Sequence, residues 1–220
     1  MSTIETAQRV LSIPQKARED EGDRTFVGVR RTLGIGSFGA NAIYQAKAGE
    51  ELVNDHDELG PGSTGQEELY VLVQGSATFT VDGEEIDAPH GTALLVLPDS
   101  KRSAVATSDE TIVLVIGGVP GEAYRLGPMQ SAEGFFDKYN AKDYAGALEA
   151  TNRGLEAYPD NALLLYNVAC MSALLGDREA ALTALAESVS KWEPYKELAR
   201  EDDDFVSLRD DPKFVELIAA

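Results

Sequence analysis

The chain of 220 residues carries 38 acidic against 19 basic side chains, a formal net charge of −19, so its average surface repels phosphates and anionic headgroups. Nucleic acid and membrane surfaces are therefore poor partners. An apolar fraction of 43% is enough for real cores and the length has room for two small domains, while a single cysteine, Cys170, excludes an intrachain disulfide or a Cys-rich metal framework.

Residues 1–24 are mostly polar and read as an N-terminal arm, with a short apolar cluster at Val10, Leu11 and Ile13 that is expected to dock on its own domain. The first twenty residues lack a basic segment followed by an apolar run, and no window reaches membrane-spanning length, so the expected localisation is cytoplasmic.

From 25 to 118 the texture is all-β, with short alternating runs separated by Gly, Pro, Asp and Ser. Strands are expected at 25–30, 39–46, 51–56, 68–74, 77–81, 85–87, 92–97, 102–107 and 111–116, without helical periodicity. Such spacing suits a sandwich or jelly-roll barrel. The stretch 67–83 is the clearest hairpin: alternation puts Glu68, Tyr70 and Leu72 on one face and Leu69, Val71 and Val73 on the other. Gly75-Ser76 and Asp82-Gly83 supply its turns. Glu68 thus shares a face with an aromatic and a leucine, as either a solvated edge residue or a ligand inside a barrel. The glycine-rich run 34–39 has no following helix or Lys-Ser/Thr ending, so it reads as a flexible loop rather than a phosphate loop. His90, in Ala88-Pro89-His90-Gly91, reads as a surface turn residue.

These residues resemble the cupins. The first motif of that family places a His-x-His pair before a Glu that is followed, after six residues, by Gly, and Glu68 and Gly75 keep that spacing. The second motif runs Gly, five residues, Pro-x-Gly, two residues, His. Gly91, Leu97-Pro98-Asp99 and Arg102 fall on that frame. In the family the three histidines and the glutamate converge on one divalent metal inside the barrel. Here Asn54-Asp55-His56 occupies the His-x-His place, a long loop containing Gly60, Pro61, Gly62 and Gly65 precedes Glu68, and Arg102 replaces the last histidine. Guanidinium has no lone pair to give a metal, so an intact four-ligand site is absent. The resemblance implies a pocket of Asn54, His56, Gln66, Glu68, Tyr70 and Arg102, in which Arg102 pairs with Glu68 by a charge-assisted hydrogen bond or clamps a ligand carboxylate. No cofactor is the primary expectation; a divalent transition metal (Fe, Ni, Mn or Zn) on His56 and Glu68 is the alternative.

Residues 119–131 read as a linker, after which alanine, leucine and glutamate rise and apolar spacing shifts to three and four. Residues 34 apart correspond: Lys142-Asp143 with Gly176-Asp177, Ala147 with Ala181, and Pro159 with Glu193 beside Pro194. The pattern resembles the tetratricopeptide repeat. Helix hairpins are expected at 132–141 with 144–157 and at 162–175 with 178–191, their seams filled by Tyr144, Leu148, Leu165, Tyr166, Leu182 and Leu185. A cap follows to residue 220, with short helices at 197–200 and 212–218 and a solvated acidic loop at Asp202-Asp203-Asp204. Cys170 lies in this part with no histidine near it in sequence, so no Cys-His nucleophile pair is expected.

The expected architecture is thus two-domain, β then α: a cupin-like jelly-roll β-barrel followed by an α-helical tetratricopeptide repeat array at 132–220. The functional expectation is a non-catalytic small-ligand-binding or sensor barrel joined to a protein-interaction domain for a protein or peptide partner. The alternatives are a metal-dependent oxygenase or isomerase using His56 and Glu68, with Gln66 orienting substrate, and a homodimer paired through the barrel sheets.

Overall fold

The computed structural model describes residues 11–19 and 22–219. Val10 and most of the expected N-terminal arm, residues 1–10, 20 and 21, lie outside the described residues. The chain divides into two compact units, one running to Gly60 and from Gly65 to Arg125, the other made of Pro61–Thr64 and the chain from Leu126 onward.

In the first unit, α1 (Ile13–Glu19) leads into β1 (Arg24–Val27) and α2 (Val29–Leu33). Eight strands follow: β2 (Gly39–Gln45), β3 (Glu51–His56), β4 (Glu67–Gln74), β5 (Ala77–Val81), β6 (Glu84–Ala88), β7 (Ala93–Val96), β8 (Arg102–Ala106) and β9 (Thr111–Gly118). They form two antiparallel sheets, β1-β2-β9-β4-β7 and β3-β8-β5-β6. Two sheets can each bury one face only against the other, and alternation delivers the side chains that do so. Ile43, Tyr70, Leu72, Val96 and Val113 from the five-stranded sheet meet Leu52, Val53, Phe79 and Ala104 from the four-stranded one. Tyr70 and Phe79 meet edge to face at 5.3 Å, and full burial of rings this size stabilises by about 2–3 kcal/mol each.

One expectation changes here: the strand expected at 25–30 stops at Val27, and α2 takes the following residues. The apolar cluster of the arm, where it is described, docks on its own domain as expected: Leu11, Ile13 and Ala17 pack with Val27, Val29, Ala40, Ala42, Tyr44 and Ile112 on the outer side of the five-stranded sheet. This cover explains why β2 is buried almost throughout instead of alternating.

The hairpin turns are made as their residues require. Asp82 and Gly83 both adopt left-handed backbone (φ 49° and 86°), the conformation that joins β5 and β6 through two residues. Gly75 (φ 72°) is confined further, because a Cβ there would stand 2.5 Å from the Thr111 hydroxyl and 2.7 Å from that of Ser108.

The second unit is helical: α3 (Pro128–Ser131), α4 (Phe135–Asn140), α5 (Tyr144–Ala157), α6 (Ala162–Leu174), α7 (Arg178–Lys191), α8 (Tyr195–Glu201), a 3-10 helix (Asp203–Leu208) and α9 (Pro212–Ile218). The single helix expected at 132–141 is instead α4 alone, since Gly134 in left-handed backbone (φ 87°) sets its start. Asp143 and Asp177 cap α5 and α7 identically, each accepting from the backbone N–H three residues on, with Asn161 doing the same for α6. Ala147 and Ala181 are fully buried in the core, where their small size lets helices approach, and Leu164, Met171, Leu185, Phe205 and Phe214 fill the remainder. The acidic run is not a solvated loop: Asp202 caps the 3-10 helix through the Asp204 N–H, and Tyr139 donates to Asp204 at 2.9 Å. Among the described residues no helix is long and apolar enough to cross a membrane.

Candidate functional site

Glu68 on β4 points between the sheets with Tyr70 and Leu72, as the alternation requires. Facing it from the other sheet are His56, the last residue of β3, and Arg102, the first of β8, which are direct antiparallel partners. The sandwich thus brings residues 56, 68 and 102 together at one end, 56 and 102 by strand register and 68 by the packing of one sheet on the other.

Asn54 does not join them. Strict alternation would put residues 54 and 56 on one face, but the β3–β8 register shifts between Val53 and His56. Leu52 and Val53 are consequently both buried, and Asn54 and Asp55 both turn outward. The Asn54 side chain accepts from Arg24 at 3.4 Å on the exposed side, while its backbone carbonyl takes the His56 Nδ1 proton at 2.8 Å. The expected pocket role of the Asn54 side chain is therefore corrected to a backbone role. His90 is exposed, as expected of a turn residue.

The residue that sequence reasoning missed is Glu58. It follows His56 by two positions in a segment read only as an insertion, yet it is buried. Its N–H donates to the Pro98 carbonyl at 2.9 Å and its carbonyl accepts from Gly65 N–H at 3.0 Å, which pins the loop so that its carboxylate turns inward. The available signal was an acidic residue one position beyond His56's neighbour, ahead of a run of glycines.

His56 Nε2 lies 3.5 Å from Glu58 Oε1 and 3.7 Å from Glu68 Oε2. Placed between these carboxylates, with the Glu58 interaction the larger, the imidazole is pushed up to about 10 against the opposing effect of burial. Burial draws the Glu68 carboxyl upward, but His56, Tyr70 and Arg102 together outweigh it and hold the group below the usual carboxylate range. Tyr70 donates to Glu68 Oε2 at 2.5 Å, and its phenol is pushed far up by burial and then by that carboxylate.

Arg102 is wholly buried, and its expected hydrogen bond to Glu68 is not formed: Nε stands 4.0 Å from Glu68 Oε2. Nη2 donates instead to the Leu97 carbonyl at 2.9 Å, and Nε and Nη1 have no acceptor. A buried charged group with unmade hydrogen bonds is costly, so this end of the sandwich presents two unused donors beside two carboxylates.

Gln66 and Glu68 flank one spot above Gly117, the residue paired with Glu68 on β9. A Cβ on Gly117 would stand 3.4 Å from Gln66 Oε1 and 3.6 Å from Glu68 Cγ. Gly117 pairs in turn with Gly39 on β2, so β9 and β2 place no side chain at the level of Glu68, while β7 on the other side of β4 places Val96 opposite it.

Ligand atoms of His56, Glu58 and Glu68 lie within 4.8 Å of one another, as do those of Cys170, Asp202 and Asp204 in the helical unit. The second group is occupied with structural bonds: Tyr166 donates to Asp202 at 2.9 Å, and the buried Cys170 thiol, 3.8 Å from the same carboxylate, is pushed far up by burial and by the two aspartates.

No family model and no curated protein matches the chain. Solved structures similar to it are cupin proteins. They include one from Bacteroides fragilis, 25% identical over 55% of this chain and 92% of that one, with a TM-score of 0.39. A cupin superfamily protein from Desulfitobacterium hafniense is 18% identical over 52% and 94%, with a TM-score of 0.40. An RmlC-like cupin protein from Desulfovibrio desulfuricans is 22% identical over 54% and 96%, with a TM-score of 0.37.

Proposed function

We propose that the β unit is a non-catalytic small-ligand-binding or sensor domain, its pocket formed by His56, Glu58, Gln66, Glu68, Tyr70 and Arg102. The observation that carries this reading is Arg102: a fully buried guanidinium with Nε and Nη1 lacking acceptors, 4.0 Å from the nearest carboxylate. A filled structural ion pair would bring the two charges into direct hydrogen bonds, whereas a site kept for a polar ligand leaves donors for it to satisfy. The helical unit, with its twice-used Asp cap and buried alanines, resembles tetratricopeptide repeats, which suits a protein or peptide partner. The protein would then report occupancy of one unit to a partner held by the other. The test is a thermal-shift screen of polar metabolites on wild type and on Arg102→Gln. A hit that stabilises wild type and not the variant supports the reading, and a screen flat at saturating concentrations retires it.

A metal-dependent enzyme is the second reading, favoured by the grouping of His56, Glu58 and Glu68. The residues fit a divalent ion such as Fe, Ni, Mn or Zn. Donation of His56 Nδ1 to the Asn54 carbonyl leaves Nε2 to bind metal, and imidazole with two carboxylates is a donor set such ions accept. A bound ion would supply Lewis acidity, while Tyr70 would hold Glu68 in place and Gln66 would orient a substrate. Metal analysis of chelator-free protein separates the readings: about one equivalent lost in both His56→Ala and Glu68→Gln favours the enzyme, and no metal in the wild type removes it.

A further inference from the structure

We propose that the helical unit is self-occupied: its own residues 202–208 sit as an internal ligand on the face it offers a partner, and that partner carries a like acidic segment, Asp-x-Asp-Phe, which displaces them. The inference rests on the reading that the helical unit holds a protein or peptide, and it names the peptide's class and what controls its entry. Tyr139 belongs to α4 and Tyr166 to α6, the first helices of the two hairpins. Both donate to one short segment, Tyr139 to Asp204 and Tyr166 to Asp202, each at 2.9 Å, and the 3-10 helix that contains Asp204 packs on α6. A segment that bridges successive hairpins lies along one face of the stack, the kind of extended surface on which such arrays bind partners.

The segment has the make-up of a groove ligand. Phe205 and Leu208, three residues apart, are buried while Asp203, Val206 and Ser207 are exposed, which is how a short amphipathic helix anchors itself. Phe205 stands edge-on to Tyr166, with ring centres 5.7 Å apart. The two carboxylates are received by neutral hydroxyls, so exchanging them for those of another acidic segment leaves the local charge unchanged. Burial, and beyond it the charge of Asp202, pushes the Asp204 carboxyl up despite the Tyr139 bond. The closed segment thus keeps charge where it is costly, in a 3-10 turn whose hydrogen-bond geometry is poorer than that of an α-helix. Such a segment opens ahead of the core around it. Being tethered, it acts at a roughly millimolar effective concentration, so an outside peptide competes at a disadvantage that shrinks when the segment is loosened.

The test uses the full chain and a fluorescein-labelled peptide of residues 201–210. Asp202→Ala combined with Asp204→Ala removes both acceptors from the internal segment and leaves Tyr139 and Tyr166 to receive the peptide. By fluorescence anisotropy this double variant is expected to bind the peptide at least tenfold more tightly than wild type, and a peptide carrying Phe205→Ala should lose that binding. Equal affinity in wild type and double variant, or no binding to the folded double variant, overturns the inference. Nitrogen-15-labelled wild type decides it even where the double variant misfolds: excess unlabelled peptide should speed amide exchange at 203–208 at least tenfold while α6 stays protected. Unchanged exchange at 203–208 overturns the inference. A partner that binds wild type while 203–208 keep their protection overturns this inference alone, and the partner-binding reading survives it.

Discussion

Lys142 and Gly176 stand 34 residues apart at equivalent turns and share left-handed backbone, with φ of 59° and 79°. Each is followed by an aspartate that caps the next helix, Asp143 for α5 and Asp177 for α7. Glycine adopts this conformation without penalty, whereas a side chain meets the following carbonyl oxygen at a cost of about 1–2 kcal/mol. Lys142→Gly is therefore expected to stabilise the protein by about 1 kcal/mol after its greater loss of chain entropy, and Gly176→Ala to destabilise it by a similar amount. Urea unfolding of both variants checks the pair, and a lower midpoint for Lys142→Gly would mean that the lysine side chain contributes more than its backbone strain removes.

Cys170 is buried in the helical core, its thiol pushed up by burial and by Asp202 and Asp204. A thiol needs to be both accessible and ionised to react. In native buffer it should resist a thiol-specific disulfide reagent, with labelling limited by the opening of the helical unit. Asp202→Asn removes a nearby charge and loosens the Tyr166 bond, so faster labelling is expected there through destabilisation rather than through a more acidic thiol. Immediate labelling of the folded wild type would contradict the burial of Cys170.

Much of this fold was legible because alternation and glycine turns are local properties. Eight of the expected strand spans coincide with observed strands to within two residues at either end, and the common face of Glu68, Tyr70 and Leu72 follows from period two alone. What escaped depends on partners distant in sequence. The shift between Val53 and His56 that turns Asn54 outward is a property of the β3–β8 register. Glu58 is carried inward by bonds to Pro98 and Gly65, and no periodicity marks it. Arg102 was placed beside Glu68 by motif spacing, but its bond to the Leu97 carbonyl instead of Glu68 could be seen only with atoms in hand.

Gly75 is the tightest of the turn glycines. Besides its φ of 72°, an added Cβ would meet Thr111 Oγ1 and Ser108 Oγ, and it would lie 2.9 Å from the Thr111 Cα, which belongs to the backbone and cannot rotate away. Those hydroxyls are themselves engaged: Ser76 N–H donates to Ser108 Oγ at 2.9 Å, and Thr111 donates to the Ser108 carbonyl at 2.7 Å. Gly75→Ala thus adds overpacking to backbone strain and should destabilise the β unit by about 2–4 kcal/mol. Thermal melts followed by circular dichroism would show it, and an unchanged melt would mean the turn can rearrange around Thr111.

The metal-free protein should also show a basic-side loss of stability that belongs to His56. Its imidazole is pushed up to about 10 by Glu58 and then Glu68, against about 6.5 in an unfolded chain. Between these values the folded state holds a proton that the unfolded state releases, so stability falls as pH rises. The contribution is fully present below about pH 6.5 and is lost as pH passes through about 10. Glu68 acts at the other end: held below its usual range, its contribution is present at neutral pH and is lost as pH falls through the folded value. His56→Gln, which retains a polar side chain without the charge, should flatten the alkaline limb and also weaken the acid limb, because His56 is foremost among the groups that hold Glu68 down. Heteronuclear NMR of the His56 ring gives the titration directly, and a neutral ring at pH 7 in metal-free protein would show that the two carboxylates do not hold its proton.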